Sequence, residues 1–251
     1  MAAKRELGRR SIVDVDALRA ARRSDRVFIF GSSASLNDIG PEEWERIAEH
    51  DVFGFNWFVR QDFVRCDFHL IRQIADSNDR RVWEPQITEY FGLIERSPHY
   101  EQSILLVQHE WRARAANLAL QMGTFPRSHR VFPWHTRHGR HLSYSFEDGL
   151  VHLTSSLCDT VNAAFLMGWS EIVLVGVDLY DRRYFWLPAE ETRTVDLMRG
   201  AVASDPHTQA SSGLIDVMGR WRHELARRNV SLVIHNPDSL LADVLPVFSW
   251  A

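Results

Sequence analysis

The sequence lacks the features that mark several large classes of protein. It has only two cysteines in 251 residues, too few for a disulfide framework and without the spacing of a metal knuckle. No apolar run approaches the roughly 18 residues of a membrane-spanning helix, and the basic start has no apolar signal-peptide segment. We therefore expect a cytoplasmic protein in which Cys66 and Cys158 are buried as small hydrophobic side chains.

An excess of positive charge and the common catalytic motifs are also missing. Lys and Arg number 29 against 33 Asp and Glu, a net charge of −4, so we expect no nucleic-acid partner. No P-loop, GxGxxG, HExxH, GxSxG or calcium-loop motif occurs, which argues against P-loop phosphotransferases, zinc peptidases and α/β-hydrolases. The series His135, His138, His141 has no evident fourth ligand for zinc, so no metal site is expected.

Short apolar runs alternate with helical patterns along the chain. Buried strands are predicted at 27–30, 51–59, 66–71, 104–108, 171–180 and 230–236. Helices are predicted at 11–23, from Pro41, and at 111–122, 154–168, 213–229 and 237–245, with a loop at 123–141. This alternation predicts an α/β, Rossmann-like fold: a mostly parallel sheet with helices on both faces, in a single domain over 1–251.

One segment, 181–212, interrupts the alternation. It is rich in charged and small polar residues, and it begins with the aromatic run 184–186. Connections of this length within a compact domain are usually functional lids or disordered, and the aromatic start favours a lid.

Polar residues that follow the predicted strands are candidate ligand contacts, because open parallel sheets bind ligands at the carboxyl ends of their strands. Gly31, Ser32 and Ser33 follow the first strand, where small residues allow a phosphate to approach the backbone or simply form a tight turn. Asn56 interrupts an apolar run, so its amide must bond either to backbone or to ligand.

A second group of candidates follows the strand that ends near residue 176. Asp178, Tyr180 and Tyr184, with two arginines between the tyrosines, suit either a phosphate site or a solvated loop. His207 lies in the segment 181–212, where it is either a general base or a surface histidine.

Four blocks, taken in order, carry a family resemblance. They read FIFGSSASLNDI (28–39), DVFGFNWF (51–58), TSSLCDTVNAAFLMGWSEIVLVGVDLY (154–180), and HTQASSGLIDVMGRW (207–221) with HNPDSLLADVLP (235–246). Over roughly half of its length the chain thereby resembles the bacterial lipooligosaccharide sialyltransferases of glycosyltransferase family 42, which use CMP-sialic acid.

The resemblance implies a function and a set of site residues. It implies transfer of a nonulosonate sugar from a CMP-sugar to a glycan or small glycoside, with His207 as general base and Tyr180 and Tyr184 at the leaving phosphate. The donor-binding residues that it implies, together with Asp178, are Gly31, Ser32, Ser33, Asn56, Thr154, Ser155, Ser156, Asn236, Pro237, Asp238 and Ser239. It implies no required cofactor, with Mg²⁺ not essential, and it suggests a homo-oligomer with peripheral contact at the inner face of the membrane.

Two alternatives stay open at this stage. The family turn usually reads Gly-Asn-Gly-Pro-Ser-Leu, whereas this chain has Gly-Ser-Ser-Ala-Ser-Leu at 31–36. That departure is compatible with a nucleotide-binding module that has lost transferase activity. The hydroxymethyl-dihydropterin diphosphokinase-like proteins, which need ATP and Mg²⁺, share the glycine-turn block and the helix-strand block. On the transferase hypothesis, the acceptor is expected to meet 181–212 and the less readable 76–150.

Overall fold

The apolar runs of the sequence become strands of a parallel sheet in the computed structural model, which describes residues 6–72, 74, 79–110 and 114–250. Its strands are β1 (Ser11–Ile12), β2 (Arg26–Phe30), β3 (Asp51–Phe55), β4 (Phe68–Ile71), β5 (Ile104–Gln108), β6 (Arg130–Trp134), β7 (Thr136–His138), β8 (Leu150–His152), β9 (Glu171–Val175) and β10 (Ser231–Ile234). Eight of them form one sheet in the order β1-β6-β5-β4-β3-β2-β9-β10, and β7 pairs with β8 separately.

Strand β2 lies where the order of the sheet reverses. Phe28 is in register with Val52 of β3 on one side and with Val173 of β9 on the other, and both pairings are parallel. From β2 the chain extends the sheet through β3, β4 and β5 in one direction, and later through β9 and β10 in the other. Such a reversal opens a crevice at the carboxyl ends of the two diverging strands, here β2 and β9.

Helices cover both faces of the sheet, because the central strands place apolar side chains on both faces. The helices are α1 (Val15–Ala20), α2 (Pro41–Ala48), α3 (Arg80–Arg96), α4 (Arg114–Met122), α5 (Ser156–Met167), α6 (Thr194–Met198) and α7 (Leu214–Ala226). Val27 and Ile29 of β2 pack in the core that includes α5 and α7, whereas Phe28 and Phe30 pack in the core that includes α2 and α3. The predicted fold class is confirmed.

Several predicted boundaries are wrong, each for a local reason. The helix predicted at 11–23 begins only at Val15, because Asp14 caps it by accepting the Ala17 N–H at 2.8 Å, and residues 11–12 are a strand instead. The predicted strand 171–180 stops at Val175, where Gly176 turns to a φ of +62°. The predicted strand 51–59 likewise stops at Phe55.

The region read as a loop, 123–141, contains strands β6 and β7. Its Pro133 masks the strand pattern, yet Pro is tolerated where a strand lies at the edge of a sheet, and β1 pairs with β6 only at Arg130 and Val131. The helix predicted at 237–245 is only a 3₁₀ turn, Leu240–Asp243. Helix α4 lies within the helix predicted at 111–122, of which 111–113 fall outside the described residues.

Both cysteines are buried, as predicted, and neither is in a disulfide. Burial raises the pKa of the Cys66 thiol to about 12 and that of Cys158 to about 11, so neither is a ready nucleophile. Within the part of the chain that the structure describes, no helix is both long and apolar enough to cross a bilayer.

Candidate active site

The turn after β2 lies directly against the end of β9. The Gly31 N–H donates to the Val175 carbonyl at 2.8 Å, and the Ser33 N–H donates to the Gly176 carbonyl at 3.0 Å. A β-carbon on Gly31 would lie 2.3 Å from the Gly176 carbonyl oxygen, so only glycine fits there. The two strand ends thus form a narrow notch at the reversal point of the sheet.

A small pocket of about 70 Å³, partly open to solvent, lies at this notch. Five segments of the chain contribute to its wall, and each contains at least one residue singled out from the sequence. The sequence-predicted residues that line it are Gly31, Ser32, Ser33, Asn56, Ser155, Tyr184 and His207. The structure therefore brings together in space residues that are up to 176 positions apart in the chain.

Asn56 enters the pocket from the end of β3. Its φ of +50° lies in the left-handed region, which asparagine tolerates better than most residues, and it begins a 3₁₀ turn over Asn56–Arg60. Below it lies the buried His69, whose Nε2 is 2.7 Å from the Tyr90 hydroxyl. Burial lowers the pKa of His69 to about 3, partly offset by a hydrogen bond to the Asn56 backbone. A neutral imidazole thus supports the Asn56 turn from within the core.

Asp178 is a buried hydrogen-bond acceptor and does not line the pocket. Its Oδ1 accepts from Ser35 Oγ at 2.7 Å and from Asn236 Nδ2 at 2.9 Å, and its Oδ2 accepts from the Tyr180 hydroxyl at 3.2 Å. Burial, followed by the charge of Asp178, raises the pKa of Tyr180 to about 12. The carboxylate therefore ties together the turn after β2, the segment after β9 and the segment after β10.

The remaining predicted donor contacts of the segment after β10 also lie away from the pocket wall. Ser239 is buried, and its hydroxyl donates to the Val177 carbonyl at 2.6 Å. Asp238 is exposed, and its N–H donates to the Asn236 side-chain oxygen at 3.0 Å. Pro237, between them, is exposed as well. In this structure the segment braces Asp178 and the end of β9.

At the start of α5, one of the three predicted hydroxyl residues reaches the pocket. Ser155 is the N-cap, its Oγ accepting the Leu157 N–H at 3.2 Å, and it lines the wall. Ser156 opens the helix without lining the wall. The Thr154 Oγ1 is buried and has no hydrogen-bond partner among the described residues. A helix N-terminus with a spare hydroxyl suits an anionic group of a ligand.

His207, near the end of the segment 181–212, is held by two hydrogen bonds. Its backbone N–H donates to the carbonyl of Leu179, a residue with a φ of +69°. Its ring Nδ1 accepts the backbone N–H of Gln209 at 3.1 Å. Burial, and then the charge of Arg193, lower the pKa of His207 to about 4, so the ring is neutral at pH 7. Because Nδ1 is an acceptor, the ring proton is on Nε2.

Tyr184 connects the segment 181–212 to the glycine turn. Its backbone forms an antiparallel bridge with Ser33, its ring lies 4.9 Å from that of Trp186, and the Arg193 guanidinium lies 5.2 Å from its ring centroid. Tyr184 is largely buried and lines the pocket, whereas Tyr180 does not. Of the two predicted tyrosines, Tyr184 alone lines the pocket.

Sequence reasoning missed some wall residues and one buried network. Gln209, whose backbone N–H donates to His207, has no recognisable signal in the sequence. The left-handed backbone conformation of Leu179 could not be predicted from its residue type. The network joins Arg72, at the end of β4, to His152 Nε2 at 2.7 Å, and His152 Nδ1 to the buried Asp159 at 2.7 Å. Since Arg only donates, His152 accepts at Nε2 and donates from Nδ1.

Among residues 6–72, 74, 79–110 and 114–250, no three His, Cys, Asp or Glu side chains are grouped in a way that could hold a metal ion. The series His135, His138, His141 spans the end of β6, strand β7 and the loop after it rather than one ligand cluster.

No protein-family model matches this chain, and no curated protein sequence matches it. Solved structures do resemble it. The sialyltransferase CstII from Campylobacter jejuni, in complex with the substrate analogue CMP-3FNeuAc, is 15% identical over 88% of this chain and 86% of that chain, with a TM-score of 0.51. A single-residue variant of the sialyltransferase CST-II in complex with CMP is 18% identical over 88% and 86%, with a TM-score of 0.50.

At these identities the likeness shows a shared fold and nothing finer. It agrees with the α/β, Rossmann-like architecture that the sequence predicts. The diphosphokinase alternative gains no support from the comparisons.

Proposed function

We propose that this protein is a glycosyltransferase that moves a sialic acid-type (nonulosonate) sugar from a CMP-sugar to a hydroxyl of a glycan or small glycoside, and that it belongs to glycosyltransferase family 42. One observation carries the proposal. Residues picked from five separate segments of the sequence line one pocket at the reversal point of a parallel sheet. The fold that the chain shares with sialyltransferases supports the same conclusion.

In this proposal the donor lies across the notch between β2 and β9. Gly31, Ser32 and Ser33 let the nucleotide phosphate approach the backbone closely, and the Asn56 amide bonds to the CMP-sugar. Ser155, at the start of α5, faces the sugar carboxylate or cytidine, with the buried Thr154 hydroxyl as a further donor.

Bond cleavage gives the leaving CMP an electron pair on its phosphate oxygen, and hydroxyl donors stabilise that charge as it develops. Tyr184 lines the pocket, and its hydroxyl is proposed as the main hydrogen-bond donor to the leaving phosphate. Tyr180 joins it only if its hydroxyl exchanges its present bond to Asp178 for one to the phosphate.

The acceptor hydroxyl forms the new bond to the anomeric carbon and must lose its proton, for which His207 is the proposed base. Its lowered pKa of about 4 keeps the ring unprotonated at neutral pH. The nitrogen able to accept a proton is Nδ1, which the Gln209 N–H occupies. Use of His207 as a base therefore requires the acceptor hydroxyl to replace that amide hydrogen bond.

The proposed reaction requires no metal or other cofactor, because the CMP-sugar is a substrate and hydroxyl groups that donate hydrogen bonds stabilise the phosphate charge; Mg²⁺ is not essential to it. Treatment with EDTA should then leave the transfer rate unchanged. A loss of activity that added Mg²⁺ restores would contradict this part of the proposal.

The direct test is incubation with CMP-N-acetylneuraminic acid and a panel of neutral glycosides, with detection of released CMP and of the sugar-extended product by mass. The wild type should form product, and His207→Ala should lower the rate by about 10²–10⁴-fold. The exposed His223→Ala is the matched control and should leave the rate unchanged. Absence of product with every acceptor, or equal rates for both variants, would count against the proposal.

A further inference from the structure

A second cleft, of about 290 Å³, adjoins the candidate active site on the side of the segment 181–212. Three parts of the chain build it: the 3₁₀ turn after β3, helix α3, and the segment 181–212. The side chains used in the argument are Trp57, Arg60, Gln86, Glu89, Trp186 and Glu191.

The cleft lies beside the proposed reaction site, since two of its lining residues neighbour residues of the pocket at the notch. Trp57 directly follows Asn56, which lines the pocket at the notch. Trp186 lies 4.9 Å, ring to ring, from Tyr184, the proposed donor to the leaving phosphate. A molecule in this cleft therefore lies next to the donor sugar rather than on a remote surface.

Two part-exposed indoles form the walls and are held in place. The Arg60 guanidinium lies 4.9 Å from the Trp57 ring centroid and 5.6 Å from that of Trp186, and it pairs with Glu89 at 2.7 Å. The Trp57 ring and the buried Tyr90 ring pack in a T-shaped arrangement, with their centroids 5.4 Å apart. Because the Arg60 guanidinium already lies over both indole rings, a sugar ring would contact the indole surface that remains exposed to the cleft, which is held in place in this way.

Two polar atoms of the cleft residues are buried without a partner among the described residues. They are the Nε donor of Arg60 and the Oε1 acceptor of Gln86. Buried polar groups are normally hydrogen-bonded, so an unpaired donor and an unpaired acceptor on residues that line one cleft favour a ligand that has both, as a hydroxyl does. Because neither atom is exposed in this structure, the Arg60 and Gln86 side chains must turn toward the cleft to bond to such a ligand.

The charges of the cleft select among polar ligands. Arg60 and Arg193 are balanced by Glu89 and Glu191, so no field of one sign favours an anion such as a nucleotide or phosphate. The volume is close to the lower end of the roughly 300–1,000 Å³ of small-ligand sites. We propose that this cleft binds a neutral pyranose ring of the acceptor, with its C–H face on the indoles and its hydroxyls on Gln86 and Arg60. This inference rests on the proposed transferase function.

Saturation-transfer NMR on the full chain, with saturating CMP, tests the proposal using lactose, maltose and cellobiose as neutral probes and glucuronate as an anionic one. Gln86→Ala removes the unpaired acceptor from a part-exposed helix position. Glu84→Ala is the matched control, since Glu84 lies on the same helix and forms an ion pair with the exposed Arg80.

At least one neutral probe should bind the wild type and the Glu84→Ala variant equally, and Gln86→Ala should bind it about fivefold more weakly. Trp186→Leu should weaken it as well. The proposal is overturned if no neutral probe binds, if glucuronate binds more tightly than all three, or if Gln86→Ala binds as the wild type does.

The thermal response to CMP, measured in parallel, separates the two proposals. Weaker sugar binding in Gln86→Ala without any CMP response in the wild type keeps the cleft as a sugar-binding site, but removes the transferase assignment and with it the identification of that sugar as an acceptor. A normal CMP response in every variant with no sugar binding removes the cleft and leaves the assignment.

Discussion

Gly31 lies so close to Gly176 that a β-carbon on the first would stand 2.3 Å from the carbonyl oxygen of the second. The same β-carbon would lie 2.9 Å from Val177 Cγ2. Because the obstacle is backbone and the end of a strand, it cannot move aside as a flexible side chain does. This approach shapes the notch on which the proposed donor site depends.

Gly31→Ala should therefore force the two strand ends apart. We expect a loss of about 1–3 kcal/mol in the free energy of unfolding, together with loss of the thermal response to CMP. Gly139→Ala is the control, because nothing lies within 4 Å of a β-carbon at that exposed position. Urea unfolding of the two variants checks the difference, and equal stabilities would show that the close approach is not needed.

Asp178→Asn should loosen the three segments that meet at this carboxylate. Either orientation of the new amide places an NH₂ against an N–H donor, from Asn236 Nδ2 or from the Ser35 backbone. Leaving such buried donors unpaired costs about 1–3 kcal/mol, measurable by urea unfolding. The exposed Asp243→Asn provides the comparison, and an equally small effect at both positions would contradict the role assigned to Asp178.

The pH dependence of transfer should report the low pKa of His207. With that pKa at about 4 in the free enzyme, the ring stays unprotonated down to about pH 5, whereas an ordinary histidine titrates near 6.5. A plot of kcat/KM should be level from pH 5.5 to 8, and Arg193→Gln should move its acid limb upward, since Arg193 lowers that pKa. A wild-type midpoint near pH 6.5 would be incompatible with this environment.

Acid stability should depend on His69. Its pKa is about 3 in the folded protein and near 6.5 when unfolded, so the unfolded chain takes up the proton first as the pH falls. The stabilisation is fully present above pH 6.5 and is lost between 6.5 and 3, at about 1.4 kcal/mol per pH unit. Urea unfolding at pH 7, 6 and 5 should show a shallower slope for His69→Gln than for the wild type. Identical slopes would contradict the prediction.

The sequence predicts much of the fold and part of the site, because strand ends are marked by residue type. The glycine turn at 31–33 and Asn56 interrupt apolar runs, so their place at the edge of the sheet follows from the pattern alone. Tyr184 and His207 stand out by residue type, and the resemblance implies their catalytic roles. Their place in the fold could not be predicted, because the long polar segment 181–212 has no periodic pattern that indicates its path.

Side-chain direction is what the sequence does not reveal. The position of Asp178 after a strand and the family resemblance at Asn236 suggest contacts with the CMP-sugar, but the two side chains hydrogen-bond to each other at 2.9 Å and do not line the pocket. The second cleft was equally unreadable. Gln86 lies in α3, within a stretch that gave no clear prediction, and its neighbour Trp186 is 100 positions away.

The central claim is that this pocket binds a cytidine monophosphate sugar donor, and a thermal-shift titration of the purified chain tests it most directly. The ligands are CMP, CDP, ATP with Mg²⁺, GDP and UDP, each of which stabilises the fold only if it binds the folded state. We predict a rise in Tm with CMP or CDP and none with the other nucleotides. A response confined to ATP with Mg²⁺, or no response to any of the five, would contradict the account.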